Sequence, residues 1–156
     1  MSARIKITKK DVGERFERFN EAYFEGKLRT PKFFTFSSST TYGICFWYPH
    51  HPSRNKIGIA RNVEWNENGL DETIIHEMIH LYLYMYHPEY PGLRCLDFGH
   101  GMLFRREKRR LKERYNLKID TQRLKFLNLK RLFKVSNKQL DRIVGWIEYN
   151  ILRYIL

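Results

Sequence analysis

The sequence predicts an α+β fold, because one amphipathic helix precedes three short strands and further helical segments follow them. The chain has 156 residues, of which 42% are hydrophobic and 15% aromatic. That is enough apolar material for a core, so a largely disordered chain is excluded. We expect one domain and a short C-terminal extension.

The composition also limits the compartment. No apolar run approaches the roughly 18 residues that span a bilayer, and the first ten residues lack the apolar segment of a secretory signal. The two cysteines, Cys45 and Cys95, are too few for a disulfide framework or a four-cysteine zinc ribbon. We therefore expect a cytoplasmic protein that does not associate with a membrane.

The first half of the chain contains one helix and three strands. Apolar residues at helical spacing predict a helix over residues 11–25, and Gly26 stands where a left-handed C-terminal cap is expected. Aromatic and β-branched residues predict strands over 32–37, 42–48 and 56–61. The segment 49–53, Pro-His-His-Pro-Ser, is typical of a hairpin loop between the last two strands.

The second half is predicted to be helical. One helix covers residues 72–86, with Asp71 before it and one apolar stripe along it, and another runs from after Gly101 to Tyr115. From residue 120 onward the spacing of apolar residues again indicates helix. The predicted division is a domain over residues 1–118 and a helical C-terminal extension over 119–156, packed on that domain.

The motif His76-Glu77-Met78-Ile79-His80 is the clearest chemical signal in the sequence. One helical turn separates the two imidazoles, so both project from the same face and can bind one zinc ion. Glu77 can then act as the general base, because zinc lowers the pKa of water towards about 7 and a nearby carboxylate can accept the proton. The alternative is two ordinary histidines on a helix that faces the core.

A catalytic zinc site needs a third protein ligand. The metzincin pattern is excluded, since Leu83 and Tyr86 occupy the positions where it needs Gly and His. His100 lies between two glycines just before the third helix, and we predict that it is the third ligand. Glu107 is the rival, although its basic neighbours favour a surface ion pair. The remaining histidines lie beside prolines in predicted loops: His50, His51 and His87.

The net charge of +12 is concentrated in one part of the chain. Residues 101–134 contain 13 basic and 3 acidic residues, which suggests a polyanionic partner such as nucleic acid. The alternative is a solvated helix face that keeps the protein soluble. Aromatic residues within this block can stack on unpaired bases or belong to the core: Tyr115, Phe126 and Phe133.

These motifs resemble the SprT/Spartan family of zinc metalloproteases. The resemblance extends over about residues 12–116 and is carried by the His76–His80 motif, by Gly99-His100-Gly101 with Phe104, and by the stretches 19–28, 42–45 and 57–60. It implies a zincin-like α+β core, a zinc ion held by His76, His80 and His100, and Glu77 as general base. For better-studied members it implies DNA-dependent cleavage of proteins crosslinked to DNA.

The sequence departs from many members of that family after the protease core, because no cysteine follows Cys95 and only helices are predicted there. A basic block over residues 105–134 can substitute for a separate DNA-binding module. Its first residues are the candidate phosphate ligands: Arg105, Arg106, Lys108, Arg109 and Arg110. A DNA-linked role would place the protein at the nucleoid.

Three functions follow from these observations. The first is a zinc endopeptidase that acts on DNA-bound proteins and holds the peptide along an edge strand, with Tyr42 and Tyr84 as candidates for stabilising the oxyanion. The second is a non-catalytic, basic nucleic-acid-binding protein whose zinc site is structural or vestigial. The third is a zinc protease with an ordinary protein substrate and an incidental charge.

Overall fold

A computed structural model describes residues 6–38, 41–91 and 100–119 of the chain. Its elements are α1 (Lys9–Phe24), β1 (Lys32–Phe36), β2 (Gly43–Phe46), β3 (Lys56–Ala60), α2 (Glu67–Tyr86) and α3 (Met102–Tyr115). The predicted α+β fold is confirmed. The predicted C-terminal extension lies outside the described residues except for Ile119, and so do Cys95, Phe126 and Phe133.

Helix α1 begins two residues before its predicted start. The Thr8 hydroxyl accepts a hydrogen bond from the Asp11 N–H at 3.2 Å, while the Asp11 carboxylate accepts one from the Thr8 N–H at 2.8 Å. This reciprocal capping box satisfies two backbone donors at the start of the helix. At the other end the left-handed backbone is confirmed at Gly26, with φ of 66°, and Glu25 shares it, with φ of 58°.

The three strands form one mixed sheet in the order β1–β3–β2. Strands β2 and β3 pair antiparallel through the predicted hairpin, whose loop contains a short 3₁₀ helix over Pro52–Arg54. Strand β1 pairs parallel to β3, with Phe33 opposite Ile57. The first two strands are therefore the edges of the sheet within the described residues.

Helix α2 lies at the centre of the described structure and contacts α1, α3, β2 and β3. The helix starts at Glu67, five residues before the predicted start at residue 72, so that prediction is wrong. Asn66 caps the helix by accepting a hydrogen bond from the Gly69 N–H at 2.7 Å, and Asp71 lies inside it, paired with Arg15 of α1. Asn and Asp are both good N-cap residues, so the local sequence does not distinguish Asn66 from Asp71. The acidic side chain of Asp71 instead serves the ion pair with Arg15.

The predicted single apolar stripe on α2 is also wrong. Every residue from Thr73 to Leu81 is buried, because other elements cover the helix on all sides. No helix in the described ranges is both long enough and apolar enough to cross a membrane.

Candidate metal centre

The middle of α2 carries two histidines on one face and an acidic residue between them. His76 and His80 are each 7% exposed, and Glu77 is 5% exposed. The imidazoles lie one turn apart, and their Nε2 atoms are separated by 3.2 Å. Burying three polar side chains on neighbouring positions of one helix costs free energy unless they are hydrogen-bonded, paired or bound to a metal.

The third histidine comes from the segment before α3. Gly101 is the N-cap of that helix, and His100 immediately before it brings its Nε2 to 2.9 Å from the His76 Nε2. One ligating nitrogen from each of the three histidines lies within 4.8 Å of the others. In the described part of the chain this is the one group of three or more ligating side chains. The structure therefore brings together the three predicted ligands.

The donor set fits a metal ion. Four-coordinate tetrahedral geometry with nitrogen ligands at about 2.0–2.1 Å places neighbouring nitrogens roughly 3.3 Å apart. The observed separations of 2.9 and 3.2 Å are near this value. Burial lowers the pKa of His76 to about 3, with smaller contributions from His100 and Lys108, so its imidazole is neutral near pH 7. A neutral imidazole is the form that ligates a metal.

An aromatic side chain closes one side of this group. The Phe104 ring is fully buried, and its centroid lies 4.9, 4.7 and 4.8 Å from those of His76, His80 and His100. It excludes water from that side and restricts the rotation of all three imidazoles. Phe104 is one of the residues that carry the resemblance described above, and the structure shows that it packs against the three histidines.

Glu77 lies against the backbone of β2. A Cβ atom added to Gly43 would lie 2.6 Å from Glu77 Oε1 and 2.9 Å from the Thr73 side chain, both closer than real contacts allow. Glycine is therefore required for this approach of strand and helix. The arrangement places the carboxylate beside an edge strand, on the residue that directly follows His76 in α2.

The rival metal ligands are absent from the histidine group. Glu107 accepts two hydrogen bonds from Arg110, at 2.8 and 2.6 Å, so the predicted ion pair forms. Glu107 itself is buried and Arg110 only partly so, and the pair is therefore not the surface contact that the sequence suggested. His50 and His51 are exposed, and His87 contacts Glu89 at 3.1 Å.

Two of the predicted phosphate ligands have partners within the protein. Arg110 also donates a hydrogen bond to the Tyr23 carbonyl at 3.2 Å, which joins α3 to α1. Arg105 reaches the His100 carbonyl at 3.4 Å. One face of α3 nevertheless borders an open groove of about 430 Å³, lined by Arg105, Lys108, Arg109, Lys112 and Glu113.

The two tyrosines proposed for the oxyanion have different surroundings. The Tyr42 ring contacts Trp65 edge-on, with centroids 5.8 Å apart. Tyr84 is buried one turn beyond His80 and stacks on Trp47 at 5.5 Å.

Sequence reasoning missed one residue of this site. The Tyr90 hydroxyl lies 2.5 Å from His80 Nδ1 and is buried. Tyr90 lies between Pro88 and Pro91 after the end of α2, and no local pattern distinguishes it from the other nine tyrosines.

Comparison with known proteins agrees with this geometry. No curated protein matches the chain. The model of the SprT-like family matches residues 12–123, which is well over half of the chain and includes the three histidines, Glu77 and all six helices and strands except the first turn of α1. The chain belongs to the SprT-like family.

Proposed function

We propose that this protein is a zinc-dependent endopeptidase of the SprT-like type. The observation that carries the proposal is the convergence of three imidazoles beside a buried glutamate that lies against an edge strand. A purely structural metal site would need its ligands but not a carboxylate at that position.

His76, His80 and His100 are the proposed zinc ligands. Three imidazole ligands leave one position of a tetrahedral ion open, which is the pattern of catalytic sites. When bound, zinc would supply Lewis-acid chemistry, polarising a carbonyl and making water acidic enough to react near neutral pH.

Glu77 is the proposed general base. One of its carboxylate oxygens would accept the proton of the attacking water and then deliver it to the nitrogen of the leaving amine. The side chain is buried and packed against Gly43, so the carboxylate is held in place before the substrate arrives.

Strand β2 is the proposed binding site for the substrate. Its outer edge pairs with no strand among the described residues, and its Gly43 is adjacent to Glu77. A peptide that extends the sheet along this edge would form backbone hydrogen bonds and pass the carboxylate. The opposite edge, β1, packs beside α1 and is separated from β2 by β3.

Substitution of Glu77 tests the enzymatic part of the proposal. Glu77→Gln should bind zinc like the wild type and lose proteolysis by about 10²–10⁴-fold, because only the proton acceptor is removed. Zinc per chain and cleavage of an unfolded protein substrate would be measured together. Glu14→Gln, at an exposed position on α1, is the control. Undiminished cleavage by Glu77→Gln would contradict the assignment, and zinc binding without any turnover in the wild type would favour the non-catalytic alternative.

We further propose that the substrates are proteins bound or crosslinked to DNA, which would place the protein in the cytoplasm at the nucleoid. The basic face of α3 supports this, since the helix starts two residues after His100 and borders an open groove with four cationic side chains. Arg105, Arg106, Lys108 and Arg109 are the proposed phosphate ligands on the described part of the block. Arg110 is not among them, because it already donates hydrogen bonds to Glu107 and to the Tyr23 carbonyl.

Salt dependence tests the proposed DNA contacts. Each phosphate contact contributes about one unit to the slope of log K against log salt concentration, so Arg106→Ala with Arg109→Ala should reduce the slope by about two. Lys9→Ala with Lys32→Ala removes the same charge at exposed positions outside α3 and should leave the slope unchanged. Equal slopes in both double variants would contradict the DNA contacts. Cleavage that DNA does not stimulate would favour an ordinary protein substrate.

A further inference from the structure

The two ring nitrogens of His80 have different surroundings. Nε2 faces the His76 imidazole at 3.2 Å, inside the proposed metal centre. Nδ1 points away from it and lies 2.5 Å from the hydroxyl oxygen of Tyr90, a residue that is only 2% exposed. His76 differs, because its buried Nδ1 has no hydrogen-bond partner within the described residues.

Tyr90 is held in place by other aromatic side chains. The Tyr84 ring meets the Tyr90 ring edge-on, with centroids 5.0 Å apart and planes at 74°. Tyr84 in turn stacks on Trp47, at 5.5 Å and 7°. The Tyr90 backbone N–H donates to the His87 carbonyl at 2.9 Å. Moving the Tyr90 hydroxyl away from His80 would therefore disturb the packing of Tyr84 and Trp47.

This hydrogen bond is compatible with the tautomer of His80 that can ligate a metal through Nε2. A neutral imidazole carries its proton on one nitrogen and a lone pair on the other. When Nδ1 donates its proton to the Tyr90 oxygen, the lone pair is on Nε2 and points at the other two histidines. The partner of the non-ligating nitrogen sets ring orientation and tautomer in metal sites generally.

We propose that Tyr90 is a positioning residue for the metal centre, which holds the His80 ring in the tautomer and orientation that ligate zinc through Nε2. The proposal rests on the proposed zinc site and extends it. Tyr84 and Trp47 act through Tyr90, since they contact its ring or the ring behind it.

Removal of one oxygen atom tests the proposal. Tyr90→Phe keeps the aromatic ring and its packing, and should weaken zinc binding by about 10–100-fold, the usual effect of losing such a partner. Affinity would be measured by competition with a chromophoric chelator. Tyr86→Phe is the control, because that hydroxyl donates a hydrogen bond at 2.9 Å to the Lys27 carbonyl, away from the histidines. Zinc affinity within twofold of wild type in Tyr90→Phe would overturn the proposal.

A second measurement needs no variant. Imidazole NMR of the zinc-loaded wild type with ¹⁵N-labelled histidine should show a proton on His80 Nδ1. An unprotonated Nδ1 would overturn the positioning role even if Tyr90→Phe fails to fold.

The outcomes separate this proposal from the proposed function. Unchanged zinc affinity in Tyr90→Phe, together with lost proteolysis in Glu77→Gln, would overturn the role of Tyr90 alone. A wild-type chain that binds no zinc would overturn both.

Discussion

Gly43 is a residue at which a single carbon atom would disturb the proposed active site. It lies on an edge strand, where most side chains are tolerated, yet its Cα faces the carboxylate of Glu77 and the methyl group of Thr73. The close contact allows β2 to approach α2 and leaves the glutamate little space in which to move. The glycine therefore contributes to the geometry of the site without any functional group of its own.

Gly43→Ala should lower proteolysis by at least about tenfold while zinc binding persists, because the three atoms nearest to the added Cβ belong to Glu77 and Thr73 and not to a histidine. Cleavage rate and zinc content would be measured on the same preparations. Gly13→Ala on α1 is the matched control, since its added Cβ meets only a Phe33 ring at 3.3 Å. Wild-type cleavage by Gly43→Ala would show that Glu77 is not held by this contact.

His76 makes the stability of the metal-free protein depend on pH. Its pKa falls from the usual 6.5 to about 3 on folding, chiefly because burial penalises the charged ring. Between these two values the unfolded chain binds a proton that the folded chain does not. The contribution of His76 to stability is therefore fully present above pH 6.5 and is lost as the pH falls towards 3.

Urea unfolding of the metal-free protein should therefore give a midpoint that falls on acidification from pH 6.5, and less steeply in His76→Leu than in the wild type. His50→Leu, at an exposed loop position, should follow the wild-type curve. Parallel curves for His76→Leu and wild type would contradict the depressed pKa.

The exit of α1 is fixed by one buried amide. The Asn20 side chain donates to the Leu28 carbonyl and accepts from the Leu28 N–H, each at 3.0 Å, and thus closes the turn that follows the helix. Asn62 forms the same pair of bonds with the Ser38 backbone, at 2.9 and 3.0 Å, but in an exposed loop. The two asparagines differ chiefly in their access to water.

Asn20→Ala should reduce the free energy of unfolding by about 2–3 kcal/mol, because it leaves two buried backbone groups without partners. Asn62→Ala should cost less than about 1 kcal/mol, since water can replace the lost bonds at an exposed site. Urea denaturation of both variants measures the difference. Equal losses of stability in the two variants would mean that burial does not determine how much the asparagine hydrogen bonds contribute to the free energy of unfolding.

At the scale of the whole molecule, the histidine group joins segments that are distant in sequence. His76 and His80 come from α2, whereas His100 comes from the segment before α3. A bound metal would therefore link the two helices in the folded state, and the unfolded chain would have no such site. Metal binding is thus expected to contribute directly to stability.

Chelation should lower the melting temperature by about 10–15 °C when the free metal was initially a thousandfold above its Kd, which corresponds to about 4 kcal/mol. Calorimetry with and without EDTA measures this shift. The melting temperature of His100→Ala should be the same with and without EDTA, whereas that of His51→Ala should fall as in the wild type. An unchanged melting temperature in the wild type would contradict a metal that joins the helices.

The sequence by itself determined the order of helices and strands and the residues with metal-binding chemistry. Both depend on short-range regularities: the periodicity of apolar residues, and one helical turn between His76 and His80. The prediction of His100 needed only its flanking glycines and the requirement for a third ligand. Helix starts were less certain, because Asn66 and Asp71 are both acceptable caps by local criteria.

Only the tertiary structure decided which distant residues meet. The order β1–β3–β2, the contact of Gly43 with Glu77, the bond between Tyr90 and His80, and the burial of Glu107 have no local signature. Each depends on how the sheet and α3 pack around α2. The chemistry of a side chain is set by its residue type, but its role depends on neighbours that folding brings into contact.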